Sequence, residues 1–387
     1  MSILERAARG AGFGAWAIYG VVLAAMAAAA PYSHSLTPFY SDATLDFWRS
    51  QLGYPDYIHG FYYVPAARVL FTPFAFAGPA LGGAAWRLLA LGLITAACWR
   101  WARLLTPTRW ASALALVLAL LIAPSAAVLR NGQFDGPVWG LIALGGALAA
   151  EGRTWGAAVS LALALALKPT GVAPALMFGV LWPAVGLRLV PLALAVAALP
   201  LVNPNWTYVA ALYRAWIDGL AGALPEPGRW NDLANALASQ GLKIAYSAMT
   251  WVRAGAAVAT FGAGLAAVRW LPRRTAAFAV LALSTLYLLL FNPRTESSGY
   301  VGLALVAAPL AARMLLIERR WAPGGAVAAM CVAMGLVNVT RPMEGWFGIW
   351  LNPLLAGIFL LGVVLPRTFD GDRWAARDQA PSLRPTA

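Results

Sequence analysis

Runs of about twenty apolar residues recur from one end of this chain to the other, and nothing else in the sequence restricts its fold as much. As an α-helix rising about 1.5 Å per residue, such a run crosses the roughly 30 Å hydrocarbon core of a bilayer. The runs are continuous and Ala/Leu-rich without two-residue alternation, which excludes a β-barrel. Charged residues make up 11% and hydrophobic residues 61% of the chain, against about 25% charged in an ordinary soluble domain. The expected fold class is therefore an all-α polytopic membrane protein.

The spans read from the sequence are 11–30, 83–104, 110–129, 136–150, 154–168, 170–186, 188–203, 246–268, 275–291, 299–316, 324–340 and 347–366, about twelve in all. Together they make one integral membrane domain over 1–370, followed by a polar tail, 371–387. Several are shorter than a full crossing, so those helices tilt little or thin the bilayer locally. The amino-terminal segment, a basic lead at Arg6 and Arg9 before an apolar run to Ala30, superficially resembles a cleaved signal peptide. It is read here as a retained first span. Cys98 and Cys331 fall inside spans, so no disulfide framework or thiolate metal site is expected.

The connecting segments divide by charge. One side receives Arg6, Arg9, Arg100, Arg103, Arg109, Arg153, Arg188, Arg269, Arg273, Arg274, Arg319, Arg320 and the tail arginines. The positive-inside rule makes that side the cytoplasm, with both termini there. The net charge of +13 is thus an orientation signal, scattered singly and in pairs, and not a nucleic-acid surface. The other side receives 31–82, 130–135, the Lys168–Pro169 corner, 204–245, 292–298 and 341–346. Tyr63 to Ala80 is apolar enough to cross but carries Arg68 and three prolines. Its crossing would invert every later arginine cluster, so it is read as a helix at the outer interface. No glycine-rich phosphate loop or dinucleotide motif is present, which excludes a nucleotide-driven pump.

Chemistry is expected where polar groups gather on the outer side. The first outer loop holds Asp42, Asp46, Asp56, His34 and His59. A helix from about Ser41 to Leu52 places Asp42 and Asp46 on one face, with Ser41 or Asp42 as its cap and Phe47 and Trp48 burying the other face among lipid headgroups. Asp56, after Pro55, reads as a turn residue. Arg130-Asn131-Gly132-Gln133-Phe134-Asp135 forms a tight corner in which Gly132 permits the turn and Asn131 and Gln133 supply amides. Lys168 is the only lysine in any span; it is either an interfacial anchor or a phosphate ligand. Asn292 to Tyr300 concentrates Arg294, Glu296 and three hydroxyls, with an Arg294–Glu296 ion pair as the plainer alternative. The 204–245 segment, with Trp206, Trp216, Trp230, Glu226 and Asp232, reads as an interfacial loop, and Arg341 and Glu344 form a weaker outer pair.

Those residues carry a family resemblance. Asp42 in the first-loop acidic motif, Tyr62-Tyr63-Val64-Pro65, Phe71-Thr72-Pro73-Phe74, Asn131-Gly132-Gln133, Leu167-Lys168-Pro169 and Asn292-Pro293-Arg294-Thr295-Glu296 before Tyr300 follow one another in order. The chain resembles glycosyltransferase family 87 of the GT-C superfamily over roughly residues 35–310. The resemblance implies a GT-C-like bundle with interfacial helices in its first outer loop. It also implies transfer of mannose or a similar sugar from a polyprenyl-phosphate carrier to a lipid-linked or envelope glycan acceptor on the outer face of a bacterial cytoplasmic membrane. It implies inverting single displacement with a first-loop aspartate as general base and neither nucleotide nor compulsory metal, so no cofactor is expected. Where family members often carry a tyrosine four residues after the acid, this chain has Asp46, so Asp42, favoured by motif position, competes with Asp46 for the base. In this reading Lys168, Arg294 and Arg130 hold the donor phosphate, while Asn131, Gln133, Glu296, His59 and Tyr63 contact sugar or acceptor. The alternative class is a transporter or flippase of lipid-linked sugars.

Overall fold

The computed structural model describes residues 3–52, 63–222, 230–337, 347–370 and Trp374. His59, Asp56, Tyr62, Glu226, Arg341 and Glu344 lie outside the described residues.

Among the described residues there are helices and no strands. Eight helices are long and apolar enough to cross a membrane. They are α1 (Ile3–Ala29), α4 (Gly78–Leu105), α5 (Trp110–Arg130), α9 (Pro183–Ala198, extended by a 3₁₀ turn), α12 (Tyr246–Trp270), α13 (Arg273–Phe291), α14 (Val301–Leu316) and α16 (Leu351–Phe369). Four shorter apolar helices coincide with further expected spans: α6 (Asp135–Ala150), α7 (Thr154–Leu167), α8 (Val172–Leu181) and α15 (Trp321–Leu336). At 16 residues α6 is only about 24 Å long. It is nearly all buried, enclosed by α4, α7 and α13, so its neighbours rather than lipid satisfy its surroundings.

The interfacial elements differ in detail from expectation. Helix α2 runs Thr37–Trp48, not Ser41–Leu52, because Pro38 sits in its first turn, where the missing N–H is no loss. Neither Ser41 nor Asp42 caps it; the Ser41 hydroxyl donates back to the Thr37 carbonyl at 3.0 Å. Phe47 is buried against Tyr208, Val209 and Leu212, while Trp48 is exposed, its indole N–H donating to Thr72. Helix α3 (Pro65–Phe76) has 12 residues, about 18 Å and too short to cross. It folds straight back into α4 through Gly78, whose φ of +81° suits glycine. A Cβ on Gly82 would stand 1.9 Å from the Phe74 carbonyl oxygen, so this hairpin closes only around glycine. Amphipathic α10 (Trp206–Gly222) and short α11 (Leu233–Ser239) complete the set.

Cross-links sort the helix ends into two groups. At one end Arg100 pairs with Glu151, Arg109 with Glu5, and Arg273 donates to the Ala149 carbonyl. That end carries the arginine loops. At the other, the Leu36 N–H donates to Asn131, the Asn231 N–H to Thr295, and the Asn203 amide to Phe47. Helix α1 is packed against α4 and α5, its Trp16 donating to Thr95 and Tyr19 meeting Ser125. Cys98 and Cys331 are buried and free.

Candidate functional site

The corner between α5 and α6 is built by its neighbours. Gly132 takes φ +63°. Arg87 of α4 donates to the Arg130 carbonyl at 2.7 and 3.1 Å and to Gly83 and Ser35. Trp86 donates to the Gly132 carbonyl at 3.0 Å. Beneath, Phe134 meets the rings of Tyr40, Tyr63, Phe71 and Trp86 at centroid distances of 4.4 to 5.9 Å. This aromatic nest fixes where Gln133 and Asp135 emerge.

Asp135 is the first residue of α6, where the helix dipole favours a negative charge. Lys168 follows the last residue of α7 and is extended, φ −148° and ψ 136°, because Pro169 disfavours helical geometry in the residue before it. Since α6 and α7 form an antiparallel hairpin, the two side chains meet. The Lys168 ammonium donates to both Asp135 oxygens at 2.9 and 2.7 Å, with side chains 16% and 5% exposed.

Glu296 stands just before the 3₁₀ turn that leads into α14. Its Oε2 accepts from Gln133 Nε2 at 3.5 Å and from the Ser298 hydroxyl at 3.2 Å. Its charge also acts on Lys168 together with that of Asp135. The Tyr63 ring lies 6.0 Å from the Lys168 ammonium, and its hydroxyl meets that of Tyr40 at 3.0 Å. Burial first, then the Glu296 and Asp135 charges, pushes the Tyr63 hydroxyl well above its ordinary value, so it is a neutral donor. Burial does the same to Tyr40.

The site therefore joins Tyr63, Gln133, Lys168 and Glu296, all expected from sequence, to Asp135 and Ser298, which lay in the candidate segments without a role of their own, and to Tyr40, which was not expected. Arg294 is half-buried at the same end, with its guanidinium 5.8 Å over the Trp230 ring; among the described residues there is no Arg294–Glu296 ion pair. Arg130 is exposed and donates to the Asn131 side chain at 3.4 Å. Asp42 and Asp46 share one face of α2, opposite the face that buries Tyr40, Thr44 and Phe47. Asp42 is exposed and Asp46 half-buried, and neither has a hydrogen bond or ion pair with a described residue. Among the described residues, no three His, Cys, Asp or Glu side chains group to hold a metal ion.

An apolar bundle with eight helices long and apolar enough to cross a membrane belongs to the class of polytopic integral membrane proteins. The particular family follows from a match of the family model for glycosyltransferase family 87 to residues 61–293, more than half of the chain. The chain belongs to that family, within the GT-C superfamily, and is a glycosyltransferase. No curated protein and no solved structure matches it. Membership decides against a carrier without transferase activity. The matched span contains Tyr63, Arg130, Asn131, Gln133, Asp135 and Lys168; Asp42, Asp46, Arg294 and Glu296 lie outside it.

Proposed function

We propose that this protein moves a sugar, mannose or a close relative, from a polyprenyl-phosphate carrier to a lipid-linked or envelope glycan acceptor on the outer face of the cytoplasmic membrane. The observation that carries the reading is the gathering of Lys168, Asp135, Gln133 and Glu296 at the bundle end opposite the arginine loops. The positive-inside rule then puts the arginine end in the cytoplasm and the site outside. Both substrates would be lipid-tethered, and a site at a membrane face is where their headgroups arrive.

The reaction is a single displacement at the anomeric carbon. The acceptor oxygen forms the new C–O bond as the bond from carbon to carrier phosphate breaks, and the acceptor proton passes to a carboxylate. Asp42 is the proposed base. It is solvent-facing and makes no hydrogen bond or ion pair with a described residue, so its oxygens are open to an incoming hydroxyl. Asp46, on the same face, is the alternative. Two cations of this end, Arg294 and Arg130, are the source of positive charge for the departing phosphate, and Glu296, Gln133 and Asn131 supply polar groups to orient the sugar.

Membranes containing wild-type or Asp42→Asn protein, given a radiolabelled polyprenyl-phosphate sugar and endogenous acceptor, test the assignment. General base catalysis contributes about 10²–10⁴-fold, so Asp42→Asn should lose that much turnover. A loss of only a few-fold removes Asp42 from the base role, and Asp46→Asn in parallel tells which acid holds it.

A further inference from the structure

Lys168, Asp135 and Glu296 together carry one positive and two negative charges. Asp135 engages the Lys168 ammonium with both of its oxygens, at 2.7 and 2.9 Å, and Glu296 adds a second negative field on the same ammonium. A carrier phosphate brought to Lys168 would meet two carboxylates. Like charges brought that close repel strongly at the effective dielectric of a protein edge, and the net charge of the cluster is already negative. The cluster is poorly suited to a phosphate.

It is well suited to hydroxyls. Glu296 Oε2 is occupied by Gln133 and Ser298, while Oε1 accepts from no described residue. Gln133 Oε1 is buried and has no described hydrogen-bond partner. An ammonium has three N–H groups, and Asp135 takes two. Two open acceptors on side chains already in contact, beside one open donor, match two hydroxyls of a sugar.

Building on the donor class proposed above, we propose that the Asp135–Lys168–Glu296–Gln133 cluster reads the hydroxyls of the transferred sugar and that the carrier phosphate sits outside it, on Arg294. Asp135 and Lys168 are positioning residues. Asp135 holds the ammonium in place, and the ammonium keeps Glu296 aligned toward the sugar. Glu296 and Gln133 make the contacts. Lys168 is thereby removed from the phosphate ligands expected from sequence.

The test compares affinity for bare polyprenyl phosphate with affinity for polyprenyl-phosphate hexoses and a pentose, on the purified full-length protein in nanodiscs. Lys168→Met and the charge-neutral double variant Asp135→Asn/Lys168→Met should bind bare polyprenyl phosphate within about twofold of wild type. Both should lose most of the extra affinity that the sugar confers. The double variant leaves neither member of the buried Asp135–Lys168 pair without its partner, so it stays informative if the single one fails to fold. Arg294→Met should weaken both ligands equally. Glu296→Gln should lower kcat/KM for the preferred donor at least 10-fold, yet hardly alter it for the deoxy analogue lacking the hydroxyl that Glu296 reads. Equal weakening of bare and sugar-loaded carrier by loss of Lys168 overturns the inference and restores a phosphate clamp. Wild-type protein that binds no polyprenyl-phosphate species overturns instead the donor class on which the inference rests.

Discussion

Glu318 offers the sharpest quantitative prediction about the fold. It lies in the turn between α14 and α15, at the arginine end, with its side chain 3% exposed. Arg313 Nε donates to its Oε1 at 3.1 Å, and Arg367 donates to Oε1 at 2.8 Å and to Oε2 at 2.5 Å. Removing the carboxylate strands two guanidiniums that are 2–3% exposed. Breaking a buried pair from one side costs about 3–5 kcal/mol. At the usual unfolding entropy per residue, a kcal/mol is worth about 1.2 °C in a chain of 387 residues, so Glu318→Ala should lower the midpoint of thermal unfolding by about 4–6 °C in detergent. Replacing all three, as Arg313→Met/Glu318→Met/Arg367→Met, should recover most of that loss, because apolar isosteres often match a buried ion cluster. A Glu318→Ala midpoint within about 2 °C of wild type, or a triple variant worse than the single one, would refute the reasoning.

The same group sets a pH dependence. Burial alone would raise the Glu318 carboxyl, but the Arg367 hydrogen bonds and charge, with those of Arg313, outweigh it and hold it below the usual glutamate range. A depressed folded value means the contribution is complete above the unfolded value, about 4.3, and is lost as pH falls through the folded one. Wild type should therefore lose midpoint temperature below about pH 4, and Glu318→Gln should lack that component.

Three further outcomes follow from local geometry. Gly82→Ala should disrupt the α3–α4 hairpin and lower the unfolding midpoint, whereas Gly92→Ala, with open space around its Cβ, should not, as thermal scans of both would show. Tyr40→Phe removes one partner of the buried Tyr40–Tyr63 hydroxyl pair and should cost about 1–3 kcal/mol by denaturant or thermal unfolding. Asn203→Ala should release the α2 carboxy-terminus, since its amide donates to the Phe47 carbonyl, and proteolysis near Ser50 should accelerate.

Most of the helices were legible because an apolar run of twenty residues admits one structure in a membrane. Boundaries governed by proline were less so: with Pro38 in its first turn, α2 begins at Thr37, ahead of the Ser41 that looked like a cap. The site was legible in its members that break the apolar pattern, such as Lys168 and Glu296. Asp135 stood in the Arg130–Asp135 corner without a role, because nothing in that motif by itself points to its partner. Topology held the missing signal. Two consecutive short spans joined by a tight turn must be antiparallel, so the first residue of α6 and the residue after α7 share an end. A lone acid and a lone lysine at those positions are neighbours by chain connectivity alone. Tyr40 gave no such signal, since its role depends on how α2 leans on Phe134.

Hydrogen-bond saturation separates the Glu318 and Lys168 clusters into different kinds. Around Glu318, Arg313 donates by Nη1 to the Leu105 carbonyl and by Nη2 to that of Trp374, and the Trp374 indole donates to the Arg367 carbonyl. Those guanidinium and indole donors are answered by protein acceptors, and the rings and guanidiniums stack besides. Such a cluster ties Trp374 to the ends of α4, α14 and α16 and has little left with which to bind anything. Around Lys168 the accounting does not close: Gln133 Oε1 is buried without a described partner, and Glu296 Oε1 accepts from no described residue. An unanswered buried polar atom is destabilising by about 1–3 kcal/mol, a cost that a ligand hydroxyl donated to Gln133 Oε1 would relieve. The Glu318 cluster is closed as a structural lock, whereas the Lys168 cluster keeps acceptors with which the proposed sugar hydroxyls could bond.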